Sequence, residues 1–590
     1  MPPHVNPNPL FAPQCVDLEV RADGTRIIRS REPLRAFAPS ANAALWTGAR
    51  AYPARTLLAE RRDDVGAVAW SELSYAEALR RARRIAQGLH DRGVARDRPL
   101  LIVARNSIVH ALLSFAAQEI GVPTIPLAPA RLRDLGDPHV DAIAEIIARL
   151  QPACAFAEDD RVAARLAKRF PNLDIIRDVA ALETTPTSIV EEAARAVDAT
   201  TVAKILFTSG TTNAPKGVIT THGMIVSNQV GFAQVWPYFD SEPPVLCDWL
   251  PWTHSFGGNK IVNFVVHRGG TLYIDDGAPT ETELSRTLAN LRAIAPTIYF
   301  NVPRGYAMLV DALESDATLR AHFFSRLQLA FSAAAALPES VLSRFAQQCT
   351  RETTRIVPLT GGWGLTETAP GATCVHERGL VARAIGVPLP GVEIKLARVD
   401  GRDELRVRGP NVTPGYAGDS AATRAAFDEE GYFRSGDSAA FVDENEVDRG
   451  FTFAGRIADN FKLSSGVWVR AAALRDAMLD AASPLLADVL LTGDDADDVG
   501  AILFLASGVL SNAETRAAIV RGLTTIASRA KGRNSRIARA LIAREAPSVA
   551  AGELTAKGTL NRNVALARRH TDVARLHARN ANADREILRP

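Results

Sequence analysis

Apolar and polar residues alternate singly through VDLEVRADGTRIIRS, residues 16–30, on either side of Asp23-Gly24. A period of two around Asp-Gly predicts a β-hairpin. Residues 1–14, proline-rich, read as a loose arm before it. From about residue 70 the rhythm changes. Ser74-x-x-Glu77 has the form of a capping box, and Leu79, Ala82, Ile85, Ala86 and Leu89 follow at helical spacing before a stop at Gly93. A strand at 100–103, a helix near 107–120 and a strand at 123–127 come next. Further short apolar strands are expected at 173–176, 202–207, 245–250, 272–274, 297–302 and 327–331, mostly separated by helix-like segments. Such alternation predicts parallel sheets covered by helices, an α/β fold.

After about residue 385 the pattern is β-rich: 392–397 and 404–407 flank Asp400-Gly401 as a second hairpin. Beyond residue 456 a compact α+β unit is expected, with strands at 488–491 and 501–505 and a helix near 514–530. The Arg- and Ala-rich stretch 562–582 reads as a surface helix. The predicted organisation is therefore an arm and hairpin over 1–40, a large domain over 41–455 with a β-rich subdomain from about 385, and a small C-terminal domain over 456–590.

Composition narrows the partners. A chain of 590 residues exceeds what one core serves, which implies two or three folding units. Apolar residues at 47% and charged residues at 23% match an ordinary globular protein. A formal net charge of +2 gives no field that would draw nucleic acid or an acidic membrane. Cys15, Cys154, Cys247, Cys349 and Cys374 are scattered and form no CxxC pair, which suits a reducing cytoplasm. The start lacks the apolar core of a signal peptide. The nearest approach to a membrane span, 112–122, is interrupted by Glu119.

The chemistry centres on ILFTSGTTNAPKGV, residues 205–218: an apolar strand, a run of hydroxyls and glycine, then Pro-Lys-Gly. A Walker-type loop requires Gly before its lysine and Ser or Thr after it. Pro215 and Gly217 stand there instead. The ingredients for gripping phosphate remain in Thr208, Ser209, Gly210, Thr211, Thr212 and Lys216, although a polar surface turn has the same composition.

The string TSGTT-x-x-PKG resembles the signature of the adenylate-forming superfamily, which includes acyl- and aryl-CoA synthetases. Asn213 stands where that pattern usually has Gly. GGWGLTET, 361–368, resembles the family's second motif. The resemblance implies Gly362 and Trp363 against adenine, Thr366 near the α-phosphate and Glu367 as a Mg²⁺ ligand. YFRSGD, ending at Asp437, resembles the motif whose aspartate binds the ribose. GRIADNFK, 455–462, resembles the domain junction, with Arg456 on the nucleotide; Ala458 replaces an acidic residue common there. LTAKGTL, 554–560, resembles the motif of the catalytic lysine, here Lys557. Gly466 would lie near the pantetheine path of coenzyme A. The resemblance also implies that the C-terminal domain is mobile.

LPWTHSFGG, 250–258, resembles the motif beside the acyl pocket, with His254 lining or gating it. Read with GGTLYIDDG (269–277), TIYFNVPRGY (297–306) and FSAAAALP (331–338), it resembles feruloyl-CoA synthetases. That likeness implies an aromatic acid held near Tyr299, Phe300, Asn301, Ala333, Ala334 and Ala335. The implied reaction is ATP-dependent: the acid becomes an acyl-AMP with release of pyrophosphate, then passes to coenzyme A with release of AMP. Other readings are a benzoate or fatty acid as substrate, a carrier protein or amine as acceptor, and an ATP-binding protein without catalysis. Either a monomer or a homodimer fits this reading.

Overall fold

The computed structural model describes residues 9–62, 69–129, 138–208, 215–280, 282–335, 337–377, 383–399, 401–506, 508–548, 551–554, 560–578 and 584–590. Among them, five sheets of eleven, six, four, two and three strands are laid out.

In the six-stranded sheet, Leu100–Val103 lies between Thr124–Leu127 and Cys154–Ala157, all parallel. These strands are buried on both faces, as expected where helices cover a parallel sheet. Helix Tyr75–Asp91 packs beside it. Ser74 Oγ accepts from the Glu77 amide, while the Glu77 carboxylate binds Arg80, so half of the expected box forms. Gly88 brings this helix against the backbone carbonyl of Leu182, where a β-carbon has no room.

The predicted helix near 107–120 is Ile108–Glu119. Glu119, which interrupts the apolar run in sequence, is fully buried and accepts from Asn42 Nδ2, Trp46 Nε1 and Arg83 Nε at 2.9 Å each. A buried carboxylate is tolerated when paired and bonded in this way. No helix among the described residues is long and apolar enough to cross a membrane.

Val202–Thr208 ends the parallel set, and Lys216–Thr221, a strand the pattern did not predict, returns antiparallel to it. Thr208 and Lys216 are direct partners across that pair. The phosphate-loop candidate thus joins two strands, where a Walker loop joins a strand to a helix. At the middle of the leading strand, buried Lys204 donates to the Gly258 carbonyl at 2.9 Å, tying the sheet to the segment after His254.

The eleven-stranded sheet corrects the N-terminal boundary. The predicted hairpin forms as Val16–Val20 and Arg26–Ser30, but its second strand pairs with Glu393–Val399, which leaves Val16–Val20 as the sheet edge. The described end of the arm, residues 9–14, is held too: Ala12 donates to Val235, and the Gln14 side chain accepts from the His376 amide. Apolar Ile28 opposite Ile394 explains why the hairpin does not stand alone. At the other end, Ile298–Asn301, Leu329–Ser332 and Leu359–Gly364 run parallel.

The C-terminal unit has Leu486–Thr492 and Gly500–Leu505 antiparallel, with Arg539–Ile542 alongside, under helices Ala471–Ala481 and Ala513–Arg529. It has its own apolar core. The expected surface helix at its end is two short helices, Arg562–Arg568 and His570–His577. Arg569 between them is bound to buried Glu553 at 2.7 Å, so this stretch is partly structural.

Gly88→Ala is expected to lower the unfolding free energy by about 1–3 kcal/mol despite alanine's better helix propensity, because the methyl meets backbone. Urea denaturation of the two proteins measures it; an unchanged midpoint would contradict the packing described.

Candidate active site

Three sequence motifs converge on one bond. Strand Leu359–Gly364 carries Trp363 inward, and strand Phe433–Phe441 carries Asp437. Trp363 Nε1 donates to Asp437 Oδ2 at 2.8 Å. Asp437 is opposite Arg456 in the sheet, and its other oxygen lies 3.4 Å from Arg456 Nε with no hydrogen bond. Burial pushes the Asp437 carboxyl above its ordinary value, and the Arg456 guanidinium opposes that shift. One carboxylate oxygen is therefore anchored and one is left to accept.

Thr366 and Glu367 sit on a single tight turn after the Trp363 strand. Thr368 shapes that turn, accepting from the Leu365 amide at 2.8 Å. Glu367 Oε1 accepts from the Tyr416 hydroxyl at 3.0 Å, and its carbonyl accepts from the Thr413 amide. Tyr416 is set by its own backbone, since residues 415–417 lace along strand Lys216–Thr221. Its ring lies under Lys216, with Nζ 4.8 Å from the centroid. Tyr416, which motif reading did not single out, thus joins the loop lysine to the candidate metal ligand. Burial raises the Glu367 carboxyl, with Tyr416, Lys216 and Arg456 pulling the other way.

A single buried carboxylate fits Mg²⁺, which is held by one or two protein oxygens together with substrate phosphates. Among the described residues no cluster of three or more His, Cys, Asp or Glu offers a closed metal cage.

The residues expected beside the acid lie at or just beyond the C-terminal ends of the parallel strands, where open α/β sheets bind ligands. Asn301 is opposite Ser332, and Ser332 opposite Gly361. Gly362 follows, half-buried, and a β-carbon there would sit 3.1 Å from the Phe331 ring. Ala333 is half-buried; Ala334 and Ala335 are exposed, and Ala334 has φ +77°, a strained value for a residue with a β-carbon. His254 is half-buried, and its neighbour Ser255 reaches Thr366 Oγ1 at 3.4 Å.

Strand alternation corrects the expected contacts of Tyr299 and Asn301. Both point away from Phe300. The Tyr299 hydroxyl accepts from Asn301 Nδ2 at 3.0 Å, and its ring packs on Tyr306 and Phe323 in a separate core. Asn301 Oδ1 accepts from the Val302 amide and Trp249 Nε1. Of the three, Phe300 alone faces the aromatic cluster of Trp236, Phe256, Phe264 and Phe331.

Gly466 lies in an exposed turn of the C-terminal unit at φ +77°. Ser209, Gly210, Thr211 and Thr212, with Asn213, and also Lys557 lie outside the described residues.

Residues 45–417 match the AMP-binding enzyme family, and residues 459–581 match the AMP-binding enzyme C-terminal domain. The chain belongs to the AMP-binding enzymes. This AMP-binding enzyme is 25% identical to a long-chain-fatty-acid–CoA ligase of Thermus thermophilus over 438 residues, 69% of this chain and 75% of that one. It is 26% identical to the mitochondrial malonate–CoA ligase of Mus musculus over 49% of this chain and 53% of that one. The anthranilate CoA ligase AuaEII, solved with anthranoyl-AMP, shares its fold at a TM-score of 0.72 and 18% identity, covering 91% of this chain and 98% of that chain. Adenylate-forming CoA ligases use ATP, Mg²⁺ and coenzyme A.

The raised Glu367 carboxyl has a consequence for stability. A carboxyl whose folded value exceeds its unfolded value costs stability as pH rises from the ordinary carboxylate range through the folded value, and keeps that cost above it. Glu367→Gln is therefore expected to raise the melting temperature of the ligand-free enzyme at pH 7, with the gap narrowing at pH 4. Calorimetry at the two pH values checks this; a lower melting temperature at pH 7 would show that the charge is fully compensated.

Proposed function

We propose that this AMP-binding enzyme is an ATP-dependent acid–CoA ligase whose acid is aromatic, ferulate or a related hydroxycinnamate. The observation that carries the nucleotide half is the meeting of Trp363, Asp437 and Arg456 beside the Lys216–Tyr416–Glu367 group. Asp437 Oδ1, buried and unbonded, suits a ribose hydroxyl as donor, and Trp363 forms a flat wall for adenine. The aromatic cluster around Phe300 and Phe331, adjoining Gly362, supports a flat acid.

The acid's carboxylate oxygen attacks the ATP α-phosphorus, and pyrophosphate leaves with the electron pair of the broken P–O bond. Thr366 donates to the α-phosphate, Lys216 and residues 208–212 hold the departing phosphates, and Arg456 and Lys557 balance charge at the reacting centre. Mg²⁺ on Glu367 would neutralise the phosphate oxygens. In the second half the coenzyme A thiolate attacks the acyl carbonyl and AMP leaves, with Gly466 beside the pantetheine and His254 at its entry. The half-open setting of His254 next to Ser255 and Thr366 is compatible with that position.

A fatty acid is the second reading, favoured by the name of the Thermus relative. A panel of hydroxycinnamates, benzoates, malonate and long-chain acids, assayed for thioester and AMP, separates them; preference for a long-chain acid would overturn the aromatic assignment alone. Lys557→Ala is expected to cut acid-dependent pyrophosphate release by about a hundredfold or more with the fold intact. Trp363→Phe, which removes a bond to a buried carboxylate, is expected to raise KM for ATP about tenfold. Steady-state kinetics with circular dichroism measures both, and unaltered adenylation in the Lys557 variant would refute that residue's role.

A further inference from the structure

The π-helical turn Phe256–Ile261 is pressed against the chain before it. Gly257 and Gly258 have no space for a β-carbon beside the carbonyls of Leu250, Pro251 and Trp252. Single π-turns of this kind recur at functional sites, because the extra residue redirects side chains. Here the turn aims Lys260 into the protein, where it is only 1% exposed. Its Nζ lies 2.9 Å from the ring centroid of Phe232, 4.6 Å from Trp236 and 4.9 Å from Phe264. It has no hydrogen-bond partner.

Other polar atoms nearby are also unbonded. Gln229 donates from Nε2 to the Asn259 and Lys260 carbonyls, but its Oε1 is buried and free, as are Asn228 Oδ1 and both side-chain heteroatoms of Asn259. Burial without partners disfavours an amine strongly and each neutral polar group as well. Folded proteins rarely keep such a set unless something completes it.

The cage adjoins the adenylation site. Phe232 packs on Gly371, where a β-carbon would lie 2.6 Å from the ring, and Phe331 packs on Gly362. Phe232 and Phe331 themselves meet edge to face at 6.5 Å. Ser255, at the head of the turn, touches Thr366, and Lys260 stands five residues on. One π-helical turn, closed from residue i to i+5, therefore separates the Thr366 contact from the lysine. We infer that Lys260 is a specificity-determining residue that hydrogen-bonds the distal ring hydroxyl of a hydroxylated aromatic acid whose carboxylate lies at Thr366. This rests on the aromatic-acid reading above and adds to it the group that is recognised. An amine amid aromatic rings suits a phenol, whose hydroxyl both donates and accepts.

The test compares 4-hydroxycinnamate with cinnamate in wild type and in Lys260→Met, by thioester formation. Wild type is expected to favour the hydroxylated acid at least tenfold in kcat/KM. In the variant that preference falls at least tenfold, through KM for 4-hydroxycinnamate, with kcat little altered. Methionine removes an unpaired buried amine, so the ligand-free melting temperature is expected to equal or exceed that of wild type, which separates recognition from misfolding. A preference that survives the substitution within threefold overturns the inference while leaving the aromatic-acid reading standing. Wild type that turns over malonate but neither aryl acid overturns both.

Discussion

The bond from Trp363 to Asp437 is the constraint around which the meeting of the sequence motifs is organised. It joins side chains 74 residues apart, inside the protein, at 2.8 Å. Because the indole has one donor, Asp437 is left with one oxygen fixed and one available. The strand that presents Asp437 also registers Arg456 opposite it, so the bond holds the Trp363 strand and the start of the C-terminal unit together. A second brace, Tyr416 on Glu367, does the same for the loop lysine and the carboxylate suited to magnesium.

Much of this organisation was legible in the sequence. Helix Tyr75–Asp91, the strands Leu100–Val103, Thr124–Leu127, Asp174–Ile176 and Val202–Thr208 and the C-terminal strands Leu486–Thr492 and Gly500–Leu505 fall where periodicity placed them, because long amphipathic or wholly apolar runs have few alternatives; Cys154–Ala157 and Arg539–Ile542, four residues each, were not foreseen. The site motifs were legible as short strings of unusual composition. Pairing partners were not. Nothing in VDLEVRADGTRIIRS says that its edge will be taken up by residues 393–399, and Lys216–Thr221 has too little apolar character to announce a strand. Tyr416 and Lys260 were missed for the same reason: their importance lies in what is beside them in space. Tyr299 and Asn301 were misjudged because a single-residue alternation decides which face of a strand a side chain takes.

The centre also shows an uneven distribution of cost. Glu367, Asp437 and Lys260 are all buried, and burial disfavours the charged form of each. Structural carboxylates such as Glu119 are instead surrounded by donors. The difference sets carboxylates enclosed by donors apart from groups left with an oxygen or amine unpaired or only partly paired.

The N-terminal edge of the large sheet bears on how the chain acquires its shape. Val16 binds the Asp448 side chain across 432 positions of sequence, and its hairpin completes its pairing only with residues 393–399. A ribosome adding ~5–20 residues per second makes that partner roughly 20–80 s after the hairpin. During that interval an apolar strand edge, carrying Ile27 and Ile28, stands open to other chains. The short strands and the arginines at 26, 29 and 31 are suited to guarding it, so the charge on this hairpin serves the nascent protein as much as the finished one.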